Sequence, residues 1–226
     1  MSPLSRPGPT VRVDVEEHVA VDVRRHEDRV AVEEPLELRL AWPGTPAHRV
    51  WVTMRTPGHD FDLAAGWAVH EGVAGPGTIR SVAYCTDHDL SPQQEFNVVT
   101  LSLDAPPARD PGIRPDQQVF AATGGVHAAG LADTEGRLLL VREDVGRHNA
   151  VDKVTGARVL AGHSPSGAAL VVSGRAGFEL VQKAVAAGVG SLVAVGAPTS
   201  LSVALATQFG LALWGFVRGD RAVRYA

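Results

Sequence analysis

Cysteine is almost absent. The one thiol in 226 residues is Cys85, which excludes an intrachain disulfide and a CxxC metal knuckle and fits a reducing cytoplasm. A basic surplus is missing as well. With 21 Lys and Arg against 25 Asp and Glu, the net charge is −4, so the footprint of phosphate-backbone binding is lacking and nucleic acid is not an expected partner. The opening residues, MSPLSRPGPTVRVDVEEH, place prolines and acids where an export leader needs an apolar core. The chain is therefore expected to begin near Met1 and to be cytoplasmic. Charge is absent from Ala184 to Val217, a run long enough to cross a bilayer. Gly188, Gly190, Gly196, Pro198, Gly210 and Gly215 break that run into short pieces, as the buried elements of an α/β core are broken, and no membrane association is expected.

What is present is enough apolar material, 45% of residues, to bury a core without metals or disulfides. In the first half, VRVDV, RVAVEEPLELRL, HRVWVTMR and EFNVVTLSL alternate as strands do. Between them TPGHDFDLAAGWAVHEG places Phe61, Ala64, Ala65, Ala68 and Val69 on one helical stripe, with Asp60 as the expected N-cap and Gly72 as the stop. A Pro-rich stretch then marks a boundary. The expected organisation is a β-rich region over 1–104, a linker over 105–118, and an α/β domain over 119–226. In that second half, RLLLVRED, AALVVSG and SLVAVGAP each lead into a helical segment, and LALWGFV closes the series. This rhythm predicts a parallel sheet with covering helices.

In open α/β sheets, ligands bind where strand carboxyl ends turn into helices. Three polar clusters fall there: Ser173, Gly174 and Arg175; Pro198, Thr199 and Ser200; and Arg218, Gly219, Asp220 and Arg221. Glycine admits close backbone approach, helix N-termini present free N–H groups, and arginine offers a planar fork for phosphate oxygens. The alternative reading is that the hydroxyls cap helices and the arginines are solvated. The run REDVGRHNAVDK, residues 142–153, joins the same edge. There His148 and Asp152, four apart, are expected to share a helix face so that the carboxylate fixes the imidazole tautomer, with Asn149 and Lys153 as the adjacent pair. Upstream, TGGVH adds Thr123, Gly124, Gly125 and His127. A helix-terminal salt-bridge network is the competing reading of these residues.

Several chemistries lack their motif. The spacing of His127, His148, Glu143 and Asp144 matches no zinc signature, so no metal site is expected. No P-loop GK[ST] and no G-x-S-x-G elbow occurs.

The segments TPGHDFDLAAGWAVHEGV, FAATGGVHAAGL, REDVGRHNAVDK, VVSGRAGFELVQKA, GAPTSLSVALA and GFVRGDR occur in the order seen in the FdhD family, the formate dehydrogenase accessory sulfurtransferases, which the chain resembles over most of its length. The resemblance implies a cytidine deaminase-like main domain, often dimeric. It also implies that sulfur is accepted from a cysteine desulfurase and passed to the molybdenum cofactor, bis-molybdopterin guanine dinucleotide, before the cofactor enters formate dehydrogenase. Arg147, in the most specific motif, is then a cofactor contact, and the family's C-terminal cofactor segment falls on Phe216, Val217 and Arg218 to Arg221. The chain departs from the family where members carry a CxxC-containing loop, since residues 104–122 contain no cysteine. A thiolate is what receives and donates sulfur, and neither serine nor histidine replaces it. Cys85 is left as the candidate carrier. The alternatives are a cofactor chaperone that has lost sulfur transfer, or a regulatory partner of a full-length relative.

Overall fold

The computed structural model describes residues 8–19, 22–32, 34–85, 96–108, 126–167, 169–219 and 221–226. It is a mixed α/β protein with three sheets. Strands β1 (Thr10–Val19) and β2 (Asp22–Ala31) form an antiparallel ribbon of their own.

Strands β3 (Glu34–Trp42), β4 (Thr45–Arg55), β5 (Ile79–Tyr84) and β6 (Val98–Leu103) form a four-stranded sheet in the order β4-β3-β6-β5. Its alternation is that of a half-buried sheet. Leu36, Leu38, Leu40, Val99, Leu101 and Leu103 point inward onto helix α1 (Asp60–His70), while Glu37 and Arg39 lie on the opposite face. The helix is not the one-sided stripe its sequence suggests. Every residue from Leu63 to Ala68 is buried, because α1 is enclosed by the sheet on one side and a second helix on the other. Nor does Asp60 cap it. His59 is the N-cap, in a left-handed conformation at φ 54°. The buried Asp60 carboxylate instead takes Arg55 at 3.0 and 3.2 Å and the Tyr84 hydroxyl at 2.8 Å.

The six-stranded sheet is built from β7 (His127–Ala132), β8 (Leu138–Asp144), β9 (Ala169–Val172), β10 (Ser191–Ala194), β11 (Ala212–Arg218) and β12 (Arg221–Arg224), in the order β12-β11-β10-β9-β7-β8. The expected parallel sheet holds only for β9, β10 and β11. Strand β7 runs antiparallel to both of its neighbours, and β12 folds back on β11 as a hairpin. The crossover helices explain the parallel part, since α3 (Phe178–Ala187) and α4 (Ser200–Phe209) link its strands, whereas short turns make the β7–β8 and β11–β12 pairs, and the chain reaches β9 on the other side of β7 only after a further helix. Helix α2 (Arg147–Leu160) packs beside α3 on the same face, and its Val151 and Val154 join Leu131, Leu170, Leu192 and Leu213 in one core. The alternate residues Val171, Val193 and Trp214 on the other face are only half-buried, and Leu138 is 61% exposed.

The two sheets meet through α1 and α2. A Cβ on Gly66 would stand 1.8 Å from the Asp152 carbonyl oxygen, and one on Gly156 would stand 1.7 Å from that of Asp62. Only glycine allows backbones to touch in this way. Of the expected linker, 105–118, residues 109–118 lie outside the described residues.

Candidate functional site

Strands β8, β9, β10 and β11 point the same way, while β7 and β12 point back. One edge of the sheet therefore gathers the ends at Asp144, Val172, Ala194 and Arg218 with the starts at His127 and Arg221. Beyond the strand ends the loops continue the ladder. Gly196 N–H donates to Gly174 O at 2.9 Å and Phe216 N–H to Gly196 O at 3.2 Å. Phe216 itself has φ 52°, a conformation that a bulky residue rarely adopts, and its side chain is exposed.

The sequence-derived residues divide into three groups. Arg175, Arg218, Gly219 and Arg221 are exposed along this edge, with Val217 half-buried among them. Ser173 caps no helix, because its hydroxyl accepts from Ala128 N–H at 2.9 Å and so completes the pairing with β7. Gly174 lies against His127, where an added Cβ would sit 3.4 Å from Nδ1. Thr199 does cap α4, in a reciprocal box with Ser202. Thr123, Gly124, Gly125 and Asp220 lie outside the described residues.

The second group turns inward. Lys153 is buried, with Nζ 2.6 Å from Asp144 Oδ2, 3.0 Å from Thr56 O and 3.2 Å from Glu143 O. Asn149 donates to Met54 O at 2.7 Å and to Asp144 Oδ1 at 3.1 Å. Asp144 also accepts from the backbone N–H groups of Thr56 and Gly146. Burial pushes the Asp144 carboxyl up, and the Lys153 ammonium opposes the shift. These residues fasten the end of β8 to the turn after β4, with their polar atoms satisfied inside the protein.

The third group contains a correction. His148 and Asp152 do not pair. Asp152 is fully buried and accepts from Lys183 Nζ at 2.8 and 3.1 Å, with His70 Nδ1 2.5 Å from Oδ1. His70 Nε2 lies 3.0 Å from the Thr155 hydroxyl, so one carboxylate ties α1, α2 and α3 together. Burial alone would raise Asp152, but Lys183 and His70 hold it below the ordinary carboxylate value. His148 pairs instead with Glu179, Nε2 to Oε2 at 3.2 Å. Neighbouring Arg147 has a buried Nε that no acceptor reaches among the described residues. Burial lowers both His127 and His148; Arg147 adds to the shift at each, and Glu179 opposes it at His148. Sequence reasoning missed Glu179 and Lys183, although their i, i+4 spacing in FELVQK mirrors that of His148 and Asp152.

Cys85 is partly exposed just past β5, and its sulfur accepts from Arg39 Nη1 at 3.5 Å. Tyr84 points inward to Asp60, so strand alternation puts Cys85 on the face away from α1. Among the described residues, no three His, Cys, Asp or Glu side chains gather as a metal site, and no helix is long and apolar enough to cross a membrane.

Fold and edge together define a mixed α/β protein with an arginine- and glycine-lined rim at its strand ends. Comparison with known proteins then gives the kind. Residues 111–226 match the FdhD/NarQ family model. The sulfur carrier protein FdhD of Streptomyces avermitilis is 41% identical over 251 residues, covering 88% of this chain and 87% of its own. That of Corynebacterium efficiens is 39% identical over 267 residues, covering 95% and 94%. The chain belongs to the FdhD/NarQ family. A solved structure, described as a formate dehydrogenase accessory protein from Desulfotalea psychrophila, shares the fold with a TM-score of 0.77 at 23% identity, over 96% of this chain and 97% of that one. The aligned lengths of 251 and 267 exceed the 226 residues present, so both relatives carry internal residues without a counterpart here.

Proposed function

We propose that this chain is an accessory protein of formate dehydrogenase maturation that binds the molybdenum cofactor, bis-molybdopterin guanine dinucleotide, along the strand-end edge of the six-stranded sheet. Convergence carries the reading: segments far apart in sequence bring Arg147, Arg175, Arg218 and Arg221 to one rim. The residues present fit such a group. The orphaned Nε of Arg147 needs an acceptor, which a phosphate oxygen provides, and Gly174 keeps space open beside His127. When bound, the cofactor supplies the metal and dithiolene chemistry. The chain's own residues grip its phosphates and orient it, with exposed Phe216 offering a ring face to a heterocycle.

The cofactor's sulfur comes, in this reading, from a cysteine desulfurase. Without the paired-cysteine loop the chain acts first as a cofactor chaperone. A second reading, sulfur carriage on Cys85, draws on the Arg39 Nη1 that donates to its sulfur at 3.5 Å, from a guanidinium that also pairs with Glu37 at 2.6 Å. We place the protein in the cytoplasm and its main sheet with the cytidine deaminase-like arrangement. A homodimer is supported by the half-bare outer sheet face of Val171, Val193, Trp214 and Leu138, which two-fold stacking of a second copy would cover.

The test is calorimetric binding of GDP, the nucleotide half of the cofactor. Arg218→Ala is expected to weaken binding about tenfold or more, the worth of one charge-assisted contact, without a change in melting temperature. Unchanged affinity rejects the assignment.

A further inference from the structure

Among the described residues, a half-exposed carboxylate stands at the mouth of the proposed cofactor edge, where anions are to bind. Glu179, in the first turn of α3, reaches across to His148 in the first turn of α2 at 3.2 Å, and the two side chains are 49% and 29% exposed. One turn deeper the same two helices are joined again by Asp152 and Lys183. The inner rung is sealed and fixed. The outer rung is open to solvent and competes for the surface a phosphate would use.

We propose that Glu179 is a carboxylate gate: it holds the His148 imidazole in the free protein, and an incoming diphosphate displaces it while His148 takes up a proton from solvent. The gate rests on the cofactor-edge reading above. The groups facing His148 are Glu179 and Lys183 from α3 and Arg147 and Asp152 from α2, while His127 at the start of β7 faces Arg147 and Asp144. Lys183 is committed to Asp152, and Asp144 to Lys153. Of these facing groups, Arg147, His127 and His148 are left to answer a new anion beside the rim arginines. In the free protein burial lowers both imidazoles from their ordinary value, against the pull of Glu179 at His148 and of Asp144 at His127. A phosphate beside Arg147 supplies a negative partner that favours the imidazolium of His148, and Arg147 Nε gains its acceptor.

The experiment is calorimetry with GDP at several pH values, and at pH 7 in two buffers of different ionisation enthalpy, on the full chain and its Glu179→Gln, His148→Gln and double variants. The expected result is net proton uptake by the unaltered chain, with Kd rising with pH by up to about tenfold per unit for one linked proton. His148→Gln should remove most of this uptake. Glu179→Gln should tighten binding about threefold, the scale of a half-exposed charge pair. That gain should vanish in the His148→Gln background, because the gate acts through the imidazole. GDP binding without proton uptake, or an equal gain from Glu179→Gln in both backgrounds, overturns the gate and leaves the edge reading standing. No GDP binding by any variant overturns the edge reading and the gate with it.

Discussion

Lys153→Met gives the sharpest separation between a wall of the ligand site and a fastener beneath it. The substitution keeps the length of the side chain and removes its ammonium. Lost with it are an ion pair of 2.6 Å to Asp144 and hydrogen bonds of 3.0 and 3.2 Å to the carbonyls of Thr56 and Glu143. The Lys153 and Asp144 side chains are 1% and 0% exposed, so water cannot replace the missing partner. Breaking a buried pair on one side costs about 3–5 kcal/mol. In a chain of this length each kcal/mol lowers the melting temperature by about 2–4 °C, so a fall of about 6–20 °C is expected. Removing the stranded charge as well, in Asp144→Asn with Lys153→Met, should recover part of the loss. Thermal and urea unfolding followed by circular dichroism measure both. A Lys153→Met protein with unchanged melting temperature and weakened GDP binding would refute the placement of Lys153 as an internal fastener.

Three further outcomes follow from the same structure. Gly66→Ala forces helix backbones apart that now leave 1.8 Å for a Cβ; the strain outweighs the ~1 kcal/mol that alanine gains in a helix, so urea midpoints should fall. Burial holds His70 below its ordinary value of 6.5, so the unfolded chain takes the proton more readily. The stability contributed by neutral His70 is complete above about pH 6.5 and declines as the pH drops below it, and His70→Gln should flatten the fall seen in unfolding measured from pH 7.5 to 5. Incubation with a cysteine desulfurase and cysteine should leave the intact mass unchanged if the chain is a chaperone only; a gain of one sulfur atom that Cys85→Ser abolishes would establish the second reading.

Strand positions were legible in the sequence because alternation is local, as in Leu36, Leu38 and Leu40 or Leu192 and Ala194. The strand-end clusters were legible for a similar reason, since β9, β10 and β11 are each followed by a short polar turn. The direction of β7 and the return strand β12 were not, because antiparallel closure by a short turn leaves little pattern in so few residues. The inward turn of Asn149, Lys153 and Asp152 was also hidden. Periodicity says which residues share a helix face, but not what lies against it. Here α1 lies against it, from about eighty residues upstream, bringing His70 to Asp152. The polar run after β8 is thus mostly the underside of the rim, and only Arg147 and His148 reach its lip.

The glycine-to-backbone crossing of α1 and α2 has a bearing on how this family tolerates change in length. The two sheets are registered by a joint made of Gly66, Gly156 and the Asp152 carboxylate, all of it within α1, α2 and the side chains packed on them. A change of length in the connection from β6 to β7 is therefore expected to leave that joint intact. A cut there should yield two fragments that reassemble on mixing, whereas one added methyl group at the joint should defeat reassembly.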